Sequence, residues 1–399
     1  MSIVANFPVL VIVIPLIAAV IAPVAARIHK SLAWYVAVLG TFASFLVSCS
    51  LLSIVRDRGE KISYWLGGWQ PPWGIEYVVD GLNGFVLVVV SFIAFMVAIY
   101  ARSGLSGEID DDKQSFFYSI YLLFVTGLMG IVITGDVFNL YVFLEISALS
   151  GYALVASGKK RAALIASYNY LILGTVGATF ILLGIGYLYM VTGTLNMADL
   201  RELLPPLYGS KVVLTAFAFF TVGLMIKLAL FPLHIWLPNV YSTSPSVVGA
   251  VMAATSIKVG AYVLLRFMFT VFTIDFSTVV IPVTTILIIL SSVAIIAGSV
   301  IAIAQTNIKR MLAYSSVGQI GYIVLGAALV NQTGMTGSLI HILNHALMKG
   351  ALFLCAGIVL YRVGTESIEG LKGLGKKMPI TMAAFTIASL SMIGFPLTA

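Results

Sequence analysis

The chain has 399 residues, 60% of them hydrophobic and 9% charged, with a formal net charge of +7. A mean hydropathy of +1.08 excludes a water-soluble domain of this length. It also makes the positive balance a matter of membrane topology, so no nucleic-acid partner is expected.

In chain order, apolar helices are predicted at about 3–26, 32–55, 80–101, 115–134, 136–157, 163–192, 211–240, 247–266, 279–304, 308–329, 338–360 and 379–399. Each approaches the ~20 residues that cross a bilayer core. The first has no basic stretch before it and is long enough to span, which argues against a cleaved signal. The Gly/Pro-rich loop after the second carries Trp65, Trp69 and Trp73, an interfacial aromatic belt. The acidic run at 107–114 reads as a solvated loop, with a divalent-ion site as the alternative. Cys49 and Cys355 stand singly in apolar runs, which gives no C-x-x-C motif, so neither a metal nor a cofactor is expected.

Thirteen cationic residues, among them Arg27, Lys30, Arg102, Lys159, Lys160, Lys309 and Lys377, fall on one side of this arrangement. Six fall on the other: Arg56, Arg58, Lys61, Arg201, Lys211 and Arg266. The richer side is cytoplasmic by the positive-inside rule, which puts the N-terminus outside. No linker divides the chain, so residues 1–399 form one membrane domain in a lipid bilayer.

Four charges interrupt the apolar spans: Glu145, Lys227, Lys258 and Lys349. Unpaired at the bilayer centre they would cost on the order of 10–14 kcal/mol together, and such residues are usually functional. Each lies within about a turn of the middle of its span, which suggests a row parallel to the membrane plane. His341, His345 and Lys349 recur at i, i+4 and i+8 and share one helical stripe. Imidazole can pass a proton between its ring nitrogens, so the stripe reads as a relay; satisfied core histidines are the alternative. Two spans carry a helix-breaking Phe-Pro, at Phe231-Pro232 and Phe395-Pro396. Paired interrupted helices in two parts of a chain point to an internal repeat with its site at the breaks. Lys227 lies about one turn before the first break. An ion pair with Glu145 that weakens and re-forms would release and recapture its proton, with Lys258, His345 and Lys349 handing protons onward.

Four stretches carry a resemblance: Gly-Asp-Val-Phe-Asn-Leu-Tyr-Val-Phe-Leu-Glu (135–145), Lys-Leu-Ala-Leu-Phe-Pro-Leu-His-Ile-Trp-Leu-Pro (227–238), Asn-Ile-Lys-Arg-Met-Leu-Ala-Tyr-Ser-Ser-Val-Gly-Gln-Ile-Gly-Tyr (307–322) and His-Ile-Leu-Asn-His-Ala-Leu-Met-Lys-Gly (341–350). The chain resembles the antiporter-like subunits shared by respiratory complex I, membrane-bound hydrogenases and Mrp-type multi-subunit sodium/proton antiporters, with the D subunit of the last group the nearest in flavour. The resemblance implies an all-α polytopic fold of 14 helices, about 12 of them present here, with two inverted five-helix repeats and broken helices seven and twelve. It divides the chain into a three-helix segment at 1–113, a first repeat at 114–266 and an incomplete second repeat at 279–399. It assigns site roles to Glu145, Lys227, Lys258, His341, His345 and Lys349, and matches His234 to a family histidine. It implies a prokaryotic plasma membrane, other membrane subunits as partners, and transport of protons, in some members against Na+, without redox centres in this subunit. The family places a further charged residue soon after the second break, whereas this sequence stops at Ala399. That residue and the last two helices are therefore expected on another chain, or beyond a cut.

Two assemblies stay open on these residues, a stand-alone cation/proton antiporter and a redox-driven complex. A membrane anchor whose charges merely pin helices is the alternative of another class.

Overall fold

The structure, a computed structural model, describes residues 3–396. Leu397 and the last residues of the span expected at 379–399 lie outside the described residues. Ten described helices are long and apolar enough to cross a membrane. The first six spans are α1 (Phe7–Ile28), α2 (Leu32–Arg58), α3 (Gly81–Gly104), α4 (Gln114–Ile133), α5 (Val137–Ala156) and α6 (Arg161–Thr192). The seventh is interrupted, as α7 (Lys211–Lys227) and α8 (Trp236–Thr243). Beyond it come α9 (Ser246–Val271), α10 (Val283–Ile303), α11 (Ile308–Ala328), α12 (Gln332–Val363) and α13 (Pro379–Met392).

Three boundaries differ from the sequence reading. The span expected at 338–360 is the 32-residue α12, which begins behind the side-chain cap of Asn331. The span expected at 247–266 continues to Val271 through a second π-helical turn, Phe267–Val271. The tryptophan loop contains a hairpin, β1 (Ile62–Trp65) paired antiparallel to β2 (Glu76–Val79). Its tip exposes Trp69 and Trp73. Apolar patterning reports lipid contact, not the caps and hydrogen bonds that set element ends.

Burial orders the spans. In α9, 89% of the most apolar window is buried, against 28% in α10 and 33% in α1 and α2, so α9 is the central helix and those three form the rim. Helix α9 packs against α3, α4, α7, α11 and α12. Small residues permit the tight crossings that membrane helices rely on. A Cβ at Gly223 of α7 would stand 2.6 Å from the Gly177 carbonyl of α6.

Two stretches repeat a local plan. Asp136 caps α5 by accepting from Asn139 N–H, and Asn307 caps α11 by accepting from Arg310 N–H. Each capped helix precedes a 32-residue helix ended by a left-handed glycine, Gly193 after α6 and Gly364 after α12. In each, the residue three beyond that glycine bridges antiparallel to the cap residue, Asn196 to Asp136 and Ser367 to Asn307.

Candidate functional site

The break after α7 is a left-handed helix cap. Ala229 takes φ 55°, Leu230 N–H donates to the Met225 carbonyl at 3.0 Å, and Ala229 N–H to the Ile226 carbonyl at 3.2 Å. This paired pattern is a Schellman motif, which normally places glycine where Ala229 stands. The end of α13 repeats it with glycine: Gly394 has φ 78°, Phe395 N–H donates to the Leu390 carbonyl, and Gly394 N–H to the Ser391 carbonyl, both at 3.1 Å. Both chains leave the helix before their proline arrives, so the reversal precedes the Phe-Pro pair that marks it in the sequence.

Lys227 is the last residue of α7, at a helix C-terminus whose dipole favours a cation. Glu145, in the middle of α5, is near enough for its charge to act on Lys227, Tyr141 and Tyr152. Among the described residues the two make no direct ion pair. A cavity of about 40 Å³, lined by Lys227, Ser147, Tyr170 and Ser256, separates Lys227 from the turn before Lys258. That is room for one water or slightly more.

Lys258, His345 and Lys349 are fully buried, with His341 half-buried beside them. The π-turn Met252–Ser256 immediately precedes Lys258, and the Ala253 carbonyl within it accepts the Lys258 ammonium. Such single-turn widenings recur at functional sites. Lys349 donates to the Leu312 carbonyl at 2.9 Å and to Ser315 Oγ. His341 and His345 stack with ring centres 5.9 Å apart and planes 11° from parallel. Among the described residues, neither ring nitrogen of His345 has a hydrogen-bond partner. His341 Nε2 meets Gln319 Oε1 at 2.7 Å, and Gln319 Nε2 reaches the Met392 carbonyl at the end of α13, at 3.5 Å. A cavity of about 840 Å³ opens there between Ser315, Gln319, Tyr322, His341 and Gly394. Lys258 is within electrostatic reach of Lys349, His341 and His345 across α9 and α12.

The predicted residues thus fall into two clusters, Glu145 with Lys227 and Lys258 with His341, His345 and Lys349. His234 joins neither. It is buried in the break, stacked on Phe231 at 5.1 Å and edge-on to Tyr314 at 6.4 Å.

A third polar group was missed. Lys309, counted among the cations of the cytoplasmic side, is 1% exposed in the first turn of α11, 3.2 Å from Glu366 and 3.9 Å from Glu108. Glu366 also pairs with Lys160 at 2.7 Å. Glu108, taken for part of a solvated loop, accepts from the backbone and hydroxyl of Ser246 at the start of α9. These partners are 57 to 206 positions apart, and no periodicity links them. Among the described residues no cluster of three or more His, Cys, Asp or Glu is arranged to hold a metal ion.

Interrupted helices, buried midspan lysines and a histidine pair define the chain as an antiporter-like membrane subunit. Residues 134–399 match the family described as NADH:quinone oxidoreductase/Mrp antiporter, transmembrane region, and the chain belongs to that family. It is 46% identical over 394 residues to NADH-quinone oxidoreductase subunit N of Desulforudis audaxviator, covering 99% of this chain and 78% of that one. It is 31% identical to the Na(+)/H(+) antiporter D subunit of Alkalihalophilus pseudofirmus, covering 98% and 78%. Among solved structures, it superposes with a TM-score of 0.90 and 34% identity on a chain of the membrane-bound sulfane sulfur reductase, an archaeal respiratory membrane complex, covering 98% and 78%. The Mrp complex from Dietzia sp. gives 0.88 at 28% identity, covering 99% and 72%.

Proposed function

We propose that the chain is a proton-translocating subunit of a multi-subunit membrane complex, passing protons along Glu145, Lys227, Lys258, His345, His341 and Lys349. The supporting observation is the fully buried Lys258–His345–Lys349 cluster. Lys258 finds one protein acceptor for three N–H groups, and His345 none for either ring nitrogen. A group built only to pin helices would have its hydrogen bonds satisfied, because an unmade buried bond costs about 1–3 kcal/mol. Groups that exchange protons need free valences facing water or one another. The charge of Glu145 acting on Lys227 without a direct pair fits a contact that forms and breaks.

The repeated plan around Asp136 and Asn307, and the matched caps at Ala229 and Gly394, support two related repeats at 114–266 and 279–399. The cation distribution supports an N-terminus outside a prokaryotic plasma membrane. A redox-driven complex is favoured over a stand-alone antiporter, because identity to the oxidoreductase subunit is 46% against 31% for the antiporter subunit. Na+ transport would belong to the second setting.

The test is proton uptake by membrane vesicles carrying the intact complex. Lys227→Ala should cut uptake at least about tenfold, the size expected when one proton-transfer group is lost. An assembled complex with unchanged uptake would overturn the reading. Loss of assembly alone, in both Lys227→Ala and Glu145→Gln, would favour the anchor alternative.

A further inference from the structure

Lys258, Tyr262 and Arg266 lie at i, i+4 and i+8 along α9 and form a second polar stripe, leading from the buried cluster toward the hairpin. Tyr262 is 1% exposed and its hydroxyl donates to the Val132 carbonyl at 2.9 Å. Arg266 Nε donates to that hydroxyl at 3.1 Å, and Arg266 Nη1 to Asp80 Oδ2 at 2.7 Å. The guanidinium is the deeper partner, its side chain 11% exposed against 30% for Asp80. Beyond the pair, a cavity of about 320 Å³ opens by the hairpin between Glu76, Asp80, Asn83, Thr134, Arg201 and Arg266. Lys258 and Tyr262 are neighbours on the helix surface, about 5–6 Å apart at Cβ. The stripe runs from the buried lysine, whose ammonium turns to the Ala253 carbonyl, to this cavity, with Arg266 at the cavity end.

We propose that Arg266 is a fixed cationic plug that keeps protons in the hairpin-side cavity from reaching Lys258 past Tyr262. A guanidinium stays protonated and cannot relay, and a buried positive charge repels an approaching proton strongly in low dielectric. Positioned arginines exclude protons from other membrane pores in this way. Without the plug, the Tyr262 hydroxyl accepts a proton on one side and releases its own on the other. The membrane gradient would then discharge through Lys258 without work. Asp80 does not open the route. Burial alone would raise its carboxyl, yet the hydrogen bond and charge of Arg266 hold it below the usual carboxylate range.

The inference rests on the reading of Lys258 as a proton carrier, and the experiment separates the two. Proteoliposomes of the intact complex, not turning over, are given an imposed pH gradient and its passive decay is followed. Arg266→Gln should leak at least about tenfold faster than wild type, a barrier change of about 1.4 kcal/mol. Arg266→Lys keeps a cation but one that can give up its proton when buried, so it should leak faster than wild type and more slowly than Arg266→Gln. Asp80→Asn keeps both the plug and a good helix cap and should also stay tight, whereas a purely structural ion pair predicts that it fails like Arg266→Gln. Adding Tyr262→Phe to Arg266→Gln should close the leak. The exchange Asp80→Arg with Arg266→Asp keeps a pair but removes the deep cation, and should leak even where Arg266→Gln does not assemble. An assembled Arg266→Gln or exchanged complex as tight as wild type overturns the plug, as does a leak that Tyr262→Phe leaves unchanged. If Lys258→Met still translocates protons at the wild-type rate, the parent reading fails instead.

Discussion

Lys349 has three N–H groups and two protein acceptors, the Leu312 carbonyl and Ser315 Oγ. Ser315 is thus as much part of the site as the lysine, since losing that buried bond costs about 1–3 kcal/mol. Ser315→Ala should lower proton uptake about five- to tenfold in an assembled complex, and Ser315→Thr, which keeps the hydroxyl, should restore most of it. Uptake initial rates in vesicles check both. The contrast shows what a sequence exposes at this scale. Lys258, His345 and Lys349 stand out because ionisable groups are rare in apolar spans. Ser315, Gln319 and the Ala253 carbonyl do not, since serine, glutamine and backbone are ordinary in any helix. Only the packing of α11 against α12, and the π-turn in α9, give them a role. Arg266 was legible as a cation at the outer end of its span, but not as a buried one. What buries it is Asp80, 186 positions earlier.

The two interrupted helices show both the reach and the limit of pattern reading. Phe-Pro marks each interruption, and the spans around it follow from apolar length alone. The register does not: the left-handed residue stands three positions before Pro232 but two before Pro396. Aligning the prolines therefore misaligns the caps by one residue. At the first break the left-handed position is Ala229, where an L side chain costs roughly 1–2 kcal/mol that glycine avoids. Ala229→Gly should raise the thermal stability of the purified complex by about 1 kcal/mol, while Gly394→Ala should lower it by a similar amount. A melting curve followed by loss of the intact assembly reads both. Strain held two residues beyond Lys227 belongs to the working of the break, so Ala229→Gly should not raise proton uptake even as it stabilises the cap.

Across the molecule, the segments before and after α9 are joined by charges at the face opposite the hairpin. Glu108 reaches Ser246 and Lys309, and Glu366 reaches Lys309, Lys160 and Asn307, so the loops after α3, α5 and α12 converge on the first turns of α9 and α11. A lysine only 1% exposed depends on these carboxylates, because removing one partner of a buried pair is far more damaging than never having built it. Glu366→Gln should cost about 3 kcal/mol at neutral pH, the low end for such a loss because Lys160 is half exposed. The pH dependence has a definite sign. Burial by itself would raise the Glu366 carboxyl, but the charge of Lys309, with Lys160 and Asn307, holds it below its ordinary value of 4.5. A carboxyl depressed in the folded state stabilises fully above its unfolded value, and that contribution disappears as pH falls through the folded one. The melting temperature of the wild-type complex should therefore fall as the pH drops below about 4.5, and Glu366→Gln should start lower and lose less over the same titration. Parallel curves for the two proteins would mean that the Glu366 carboxylate is not what holds Lys309 and Lys160 together.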